Sequence, residues 1–367
     1  MAIPSCPYFN LCGSCTLQDI DYPVQLENKR KLLSETLQYD DIKVFSGKPY
    51  YYRNRMDMIF HSGGLGFRER GKWWKIVDIE KCAISNDNLN LRIAEIREYF
   101  RDADYFDVKK KTGTFRYAVI RTPGEDSSIA FVLNEDSDRL KQGIQKVLEF
   151  SLVTSTNNII TALVNKNTDV SVSDNFSIVK GSGMLKAKLL GREFLFSAQG
   201  FFQNNDEMVD KMHLYCRDIF KTYDTKGTHL LDFYGGAGTF GINNAGLFEG
   251  VTIVDNSGLS IEAAVRNIEL NGIKNARAVL LADKHISEIQ LPERLFVVTD
   301  PARSGMHPKA IKYLNEIKPA VIMYVSCNPR QLKLDLMKLA EYKIKSAALF
   351  DFFPQTGHLE SVIELTC

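Results

Sequence analysis

Four short, unbroken apolar runs after residue 205 constrain this chain more than any other feature. They are His229-Leu230-Leu231-Asp232-Phe233, Val251-Thr252-Ile253-Val254-Asp255, Leu295-Phe296-Val297-Val298-Thr299-Asp300 and Val321-Ile322-Met323-Tyr324-Val325-Ser326. A strand with one wet face alternates apolar and polar residues. A run without that alternation is covered on both faces, as in a parallel sheet. Stretches of helical character separate the runs, so the pattern predicts a doubly wound α/β domain. Ligands of such domains sit outside the carboxyl ends of the strands. Asp232, Asp255, Asp300 and Cys327 all fall at those ends.

The texture before residue 205 is different. Residues 1–20 are rich in cysteine, and residues 21–40 place Val24, Leu26, Leu32, Leu33 and Leu37 among charges, which predicts a helix. Between about 50 and 180, Met56, Met58 and Phe60 alternate with other residues, Gly63 and Gly64 interrupt, and Trp74, Ile76, Val77 and Ile79 follow. This reads as hairpins of an antiparallel sheet, with helices near 86–100 and 136–150. The expected division is a cysteine segment with its helix (1–45), a central antiparallel α+β domain (46–195) and an α/β domain (196–367).

No apolar run nears the roughly 18 residues of a membrane span, and the N-terminus lacks a basic stretch followed by an apolar one. The expectation is a cytoplasmic protein with no membrane partner. Seven cysteines, an odd number, then argue for metal binding or catalysis ahead of disulfides. Four of them, Cys6, Cys12, Cys15 and Cys82, lie in the first 82 residues. Four thiolates can hold zinc or an iron–sulfur cluster, and the spacing does not decide between them. The net charge is only +1, so composition does not announce a polyanionic partner. Local clusters matter more: Lys29 to Lys31, then Arg53 and Arg55, then Arg68, Arg70, Lys72 and Lys75, then Lys109 to Lys111 with Arg116 and Arg121, several interleaved with Tyr50 to Tyr52, Phe67, Trp73, Trp74, Phe115 and Tyr117. Cations contact phosphates and aromatic faces stack unpaired bases. The alternative is a solvated charged face over an aromatic core.

Four motifs carry chemistry. Leu231 to Gly241 is a glycine-rich loop just after a strand, and Asp255, about 20 residues on, ends the next strand where a carboxylate can accept ribose hydroxyls. Asp300-Pro301-Ala302-Arg303 follows the third run. Tyr324-Val325-Ser326-Cys327-Asn328-Pro329 puts a cysteine at the fourth strand end, in the position of a nucleophile. Phe353-Pro354-Gln355-Thr356-Gly357-His358-Leu359-Glu360 precedes a last strand, Val362 to Leu365.

In order, these motifs resemble the RNA uracil-5-methyltransferases that carry an iron–sulfur cluster. The resemblance covers almost the whole chain: Cys6-PYFNL-Cys12-Gly13-Ser14-Cys15-Thr16-Leu17-Gln18, then Tyr22, Gln25, Leu26 and Lys29, then Cys82, Phe202-Gln203-x-Asn205 and the four motifs above. It implies a Rossmann-like class I S-adenosylmethionine methyltransferase domain, with Cys327 as covalent nucleophile and Glu360 as base. It implies donor contacts from Gln203, Tyr234, Thr239, Asp255, Asp283 and Asp300, and a 4Fe-4S cluster on Cys6, Cys12, Cys15 and Cys82. Ala302 and the Thr356 to Ser361 ending are most like the branch acting on large-subunit ribosomal RNA, so ribosomal RNA is expected ahead of transfer RNA. The expected enzyme is monomeric. It is also expected to recruit RNA without the N-terminal β-barrel domain of many members, since the sequence starts at the cysteines.

The chemistry explains the residue types. C5 of a pyrimidine is a weak nucleophile until a thiolate adds at C6. The reaction then needs a base for the C5 proton and a methyl donor held in line. A cytosine-5-methyltransferase would use the same addition. A non-catalytic RNA-binding relative would have lost Cys327 or Glu360, and both are present. An amino-methyltransferase would carry an aromatic residue after Asp300-Pro301, where this chain has Ala302-Arg303.

Overall fold

The computed structural model describes residues 2–367. The apolar runs become neighbours in an eight-stranded sheet of order Ile42–Phe45, Lys343–Phe350, Glu360–Thr366, Val321–Ser326, Leu295–Thr299, His229–Phe233, Gly250–Asp255, Ala276–Leu280. Five neighbouring pairs are parallel, and Glu360–Thr366 runs antiparallel to both its neighbours. Helices cover both faces. Val321, Met323 and Val325 pack in one core with Met208, Met212 and Phe220 of the helix Asp206–Phe220. Ile322 and Tyr324 pack in another with Leu33 of the helix Tyr22–Leu37, Ile311 and Leu314 of Pro308–Ile317, and Leu332 of Pro329–Lys338. Alternate residues of one strand thus enter two dry layers, which is why the run shows no polar alternation.

The central sheet has seven strands in the order Lys72–Asp78, Gly64–Glu69, Arg55–His61, Phe115–Arg121, Ser128–Asn134, Asn158–Val164, Phe176–Lys180. It is antiparallel except where Ser128–Asn134 meets Asn158–Val164, a parallel pair joined through the helix Leu140–Val153. That helix and Asp87–Tyr99 bury one face of the sheet. Met56, Met58 and Phe60 point into this layer, where Phe60, Phe100, Phe115, Phe131 and Phe150 form a network of tilted and edge-to-face rings. The residues between them, Arg55, Asp57, Ile59 and His61, belong to the opposite face.

Two segments join the α/β domain from outside residues 196–367. Ile42–Phe45 forms the edge of the large sheet, pairing in parallel with residues 347–350. The hairpin Met184–Leu189/Arg192–Ser197 packs on the helix Gly258–Leu270, where Asn267 Nδ2 donates to Leu195 O and Ala237 O, each at 2.9 Å. Among the described residues no helix is long and apolar enough to cross a membrane.

Candidate active site

A cleft of about 1240 Å³ opens where the carboxyl ends of the parallel strands face the wet side of the central sheet. Its lining includes all eight residues expected to act on base or donor: Gln203, Tyr234, Thr239, Asp255, Asp283, Asp300, Cys327 and Glu360.

The glycine loop builds the donor side. Gly236 and Gly238 have φ of 55° and 81°, values that side chains disfavour, and a Cβ on Gly238 would meet Ile253 Cδ1 at 2.8 Å. The turn brings Gly236 N to Asp255 Oδ2 at 3.0 Å, while Ser257 N donates to Asp255 Oδ1 at 2.8 Å. The Asp255 carboxylate is thereby fixed at the strand end. Tyr234, itself at φ 59°, donates its hydroxyl to Asp283 Oδ2 at 3.0 Å and accepts from His307 N at 3.1 Å. Asp232 departs from the sequence expectation. It lies one residue inside its strand, is buried beneath the loop rather than facing a ligand, and accepts from Gly241 N at 2.7 Å. Burial pushes its carboxyl up to about 8.

Cys327 follows its strand directly. Asn328 caps the next helix, Pro329 starts it, and Asn328 Nδ2 donates to Arg303 O at 2.9 Å, tying the second and third motifs together. Cys327 is half-buried. Burial raises its thiol to about 11, the Glu360 and Asp300 carboxyls add to this, and the Arg303 guanidinium opposes it. Glu360 is buried, and its Oε1 hydrogen-bonds no other group among the described residues. Burial first, then the Asp300 charge, raises the Glu360 carboxyl well above the usual range. Burial also raises Asp300. Two acids and a thiol thus share a pocket that disfavours negative charge, which suits a site that receives a cation and moves a proton. His358 stands at the rim, its Nδ1 3.0 Å from Arg303 Nη2.

The loop that delivers Glu360 is held from the N-terminal segment. Lys29 Nζ donates to Asp351 Oδ1 at 2.7 Å and to Phe353 O at 3.1 Å, and Tyr22 donates to Asp351 Oδ2 at 2.9 Å. Gln25 exchanges hydrogen bonds with Gln355 in both directions, each at 3.0 Å. Thr16 N and Leu17 N donate to Gln355 O. Tyr22, Gln25 and Lys29 entered the sequence analysis only as matched positions. Their role as a clamp on a loop more than 300 residues away had no sequence signal, because neither Asp351 nor Gln355 stands in a motif that pairs with them.

A sequence model described as tRNA (uracil-5-)-methyltransferase matches residues 21–367. The chain belongs to this family. It is 33% identical over 366 residues to the tRNA (uracil(54)-C(5))-methyltransferase of Pyrococcus abyssi, covering 99% of this chain and 85% of that protein. It is 34% identical to the enzyme of the same name from Pyrococcus horikoshii, covering 98% and 85%. The crystal structure of the P. abyssi enzyme in complex with S-adenosyl-L-homocysteine superposes with a TM-score of 0.81 at 32% identity, over 99% of this chain and 88% of that one. The protein is therefore an S-adenosylmethionine-dependent RNA (uracil-5-)-methyltransferase, and its α/β domain has the Rossmann-like methyltransferase fold.

In this methyltransferase Cys6, Cys12, Cys15 and Cys82 are free thiols around one small chamber walled by Tyr8, Phe9, Phe67, Ile79 and Ile84. The cysteine loop docks on the central hairpin through Gly13 N to Arg68 O (3.0 Å) and Arg70 N to Leu11 O (2.8 Å). Cys82 N donates to Asn90 Oδ1 at 2.9 Å. Burial raises the Cys15 thiol to about 12, and the other three cysteines push it further in the same direction, so the four sulfurs lie within electrostatic reach of one another. Yet among the described residues no group of three or more His, Cys, Asp or Glu side chains is drawn in closely enough to hold a metal ion. Ser14, Phe67 and Ile84 line both this chamber and the cleft.

Proposed function

We propose that the enzyme methylates C5 of a uridine in transfer RNA, through a covalent bond from Cys327 Sγ to C6 of the base. The observation that carries this is the meeting of Cys327, Glu360 and the donor-loop residues in one cleft. Cys327 gives its proton to solvent and, as the thiolate, bonds C6, and electron density moves to C5. C5 takes the sulfonium methyl, and S-adenosylhomocysteine leaves. Glu360 takes the C5 proton, the 5,6 double bond reforms, and the Cys327 thiolate departs. A positive charge beside Cys327, such as the donor's sulfonium, would favour its thiolate against the burial that raises it. Asp255 would accept the ribose hydroxyls, with Gln203, Tyr234, Thr239, Asp283 and Asp300 lining the rest of the donor site. Arg53 and Arg55 at the mouth are placed to meet phosphates of a flipped nucleotide.

The relatives' names turn the expected ribosomal substrate toward transfer RNA, with uridine 54 as the candidate target. Ala302 and the Thr356 to Ser361 ending favoured ribosomal RNA in the sequence. Ala302, Thr356 and His358 line the cleft, where they would meet the base whichever RNA carries it.

The four-cysteine chamber fits a cluster better than a single ion. A zinc ion needs all its thiolates about 2.3 Å from one centre, a convergence that these sulfurs do not make. A 4Fe-4S core spaces its four thiolates more widely, and an apolar chamber bordered by four cysteines suits it. Bound there, it would tie the N-terminal loop to the central hairpin. Iron and acid-labile sulfide in anaerobically purified protein would support this, and zinc alone would refute it.

The test of the reaction uses transfer RNA and ribosomal RNA transcripts with donor, mapped by mass spectrometry. We expect 5-methyluridine at position 54 of transfer RNA. Cys327→Ala should give no product while binding S-adenosylhomocysteine normally. Glu360→Gln should accumulate a denaturant-resistant protein–RNA adduct, since addition and transfer proceed and elimination stalls. An adduct that survives Cys327→Ala, or product in ribosomal RNA alone, would overturn the reading.

A further inference from the structure

A second concavity, of about 330 Å³, lies on the central sheet and takes no part in the reaction above. Its walls are aromatic and unusually open: Trp73 is 55% exposed, Trp74 45% and Tyr105 40%. The two indoles meet edge to face at 5.9 Å on the strand Lys72–Asp78, the outermost strand of its sheet. Exposed indoles on a sheet edge are costly to keep, since they invite non-specific association. The chain has only two tryptophans, and both are here.

The rim carries cations. Lys109 Nζ sits 5.5 Å from the Trp74 ring, and Lys75, ion-paired to Glu69 at 2.6 Å, lines the same wall. The two acids of the groove are already occupied. Asp169 accepts from Arg68 and Tyr117, and Asp107 accepts from the backbone of Lys109 and Lys110. Flat π-faces with ammonium groups beside them fit an unstacked base and its flanking phosphates. They fit a protein partner poorly, since interface cores are depleted in lysine.

Position completes the argument. Arg55 and Asp57 line the catalytic cleft, while Ile59 and His61 line the groove. These are successive same-face residues of one strand, so the step from Asp57 to Ile59 is about 7 Å. Arg68, on the next strand, also lines the groove. One continuous wet face therefore leads from the reacting base to the indoles.

We propose that this groove is a second nucleotide site, in which Trp73, Trp74 and Tyr105 stack an unpaired base of the RNA whose uridine occupies the cleft. The proposal rests on the RNA-methyltransferase reading, and its test separates the two. Tryptophan emission of the full-length holoenzyme reports on this groove alone. A transfer RNA transcript should quench it saturably, and heparin, a polyanion without bases, should not. Trp74→Ala should raise KM for transfer RNA about tenfold with kcat unchanged, and Trp74→Phe, which keeps an aromatic face, should restore most of it. Emission unchanged by RNA that is being methylated would sink the proposal, as would an unchanged KM in Trp74→Ala, or quenching that follows protein concentration rather than RNA. If no RNA is methylated yet the emission is quenched by RNA and not by heparin, the reading of the reaction fails and the groove stands.

Discussion

The two large sheets bury charges of opposite sign. Among the described residues, the buried carboxylates are Asp232, Asp335, Asp351, Glu360 and Glu364, all in the α/β domain, whereas the buried guanidiniums are Arg92, Arg116 and Arg121, all in the central domain. Most of these charges are compensated, as burial requires. Asp335 accepts from Tyr324, Met306 N and Gln331, and Arg92 donates to Ser155 and Thr156. The compensation is incomplete at several of them: among the described residues, Arg92 and Arg116 each leave Nε without a partner. Glu360 leaves one oxygen unpaired, and Arg121 leaves two nitrogens unpaired, its guanidinium pulled down to about 9 by burial, with Arg55 adding to this and Asp57 opposing.

Three perturbations test that contrast. The largest effect is expected where a buried charge is structural. Lys29→Met strands Asp351 without its cation and should cost about 3–5 kcal/mol of stability, read by chemical denaturation, with Lys29→Met/Asp351→Asn recovering part of it. A loss within experimental error would mean that the clamp on the Glu360 loop is ornamental. Next, Asp255→Ala should weaken S-adenosylhomocysteine binding by about 2–3 kcal/mol, the worth of hydrogen bonds to a charged group, and leave affinity for transfer RNA unchanged. Calorimetry with each ligand checks this, and an equal loss for both would erase the division between the domains.

The smallest effect concerns Asp232. Its folded pKa is raised, so its protonated form stabilises the fold fully below about pH 4, the ordinary aspartate range, and that contribution is lost as pH rises toward about 8. Asp232→Asn keeps an acceptor for Gly241 N and removes the charge. It should gain on the order of 1–2 kcal/mol relative to wild type at pH 8 and nothing at pH 4. Parallel stability curves across that range would show that the buried carboxyl stays ionised.

What the sequence disclosed follows the same division. The parallel sheet was legible because unbroken apolar runs have few structural meanings and place ligand residues at their ends, so Asp255, Asp300 and Cys327 could be located before any coordinates. In the central domain, Met56, Met58 and Phe60 gave away a strand through strict alternation. The strands Ala276–Leu280 and Lys343–Phe350 were not anticipated. The first is an edge strand with partly exposed residues, and the first half of the second mixes lysine and serine with its apolar residues, so neither is a clean run. The Tyr22–Gln25–Lys29 clamp was illegible as a function, and Trp73 and Trp74 were legible only as aromatics among cations and not as one groove, because each arrangement depends on which distant residue arrives opposite.

The edge strand Ile42–Phe45 has a consequence for synthesis. Its partner, residues 347–350, leaves the ribosome about three hundred residues later. Until then the helix Tyr22–Leu37 and its strand have no sheet to dock on, and a nascent chain must keep them soluble while the central domain, whose strand neighbours are mostly close in sequence, can fold first. The α/β sheet can close along this edge only once residues 347–350 are made, joining segments about three hundred residues apart. Catalytic competence therefore arrives in one late event, and a chain truncated anywhere before residue 347 is born with an unpaired edge and without a working site.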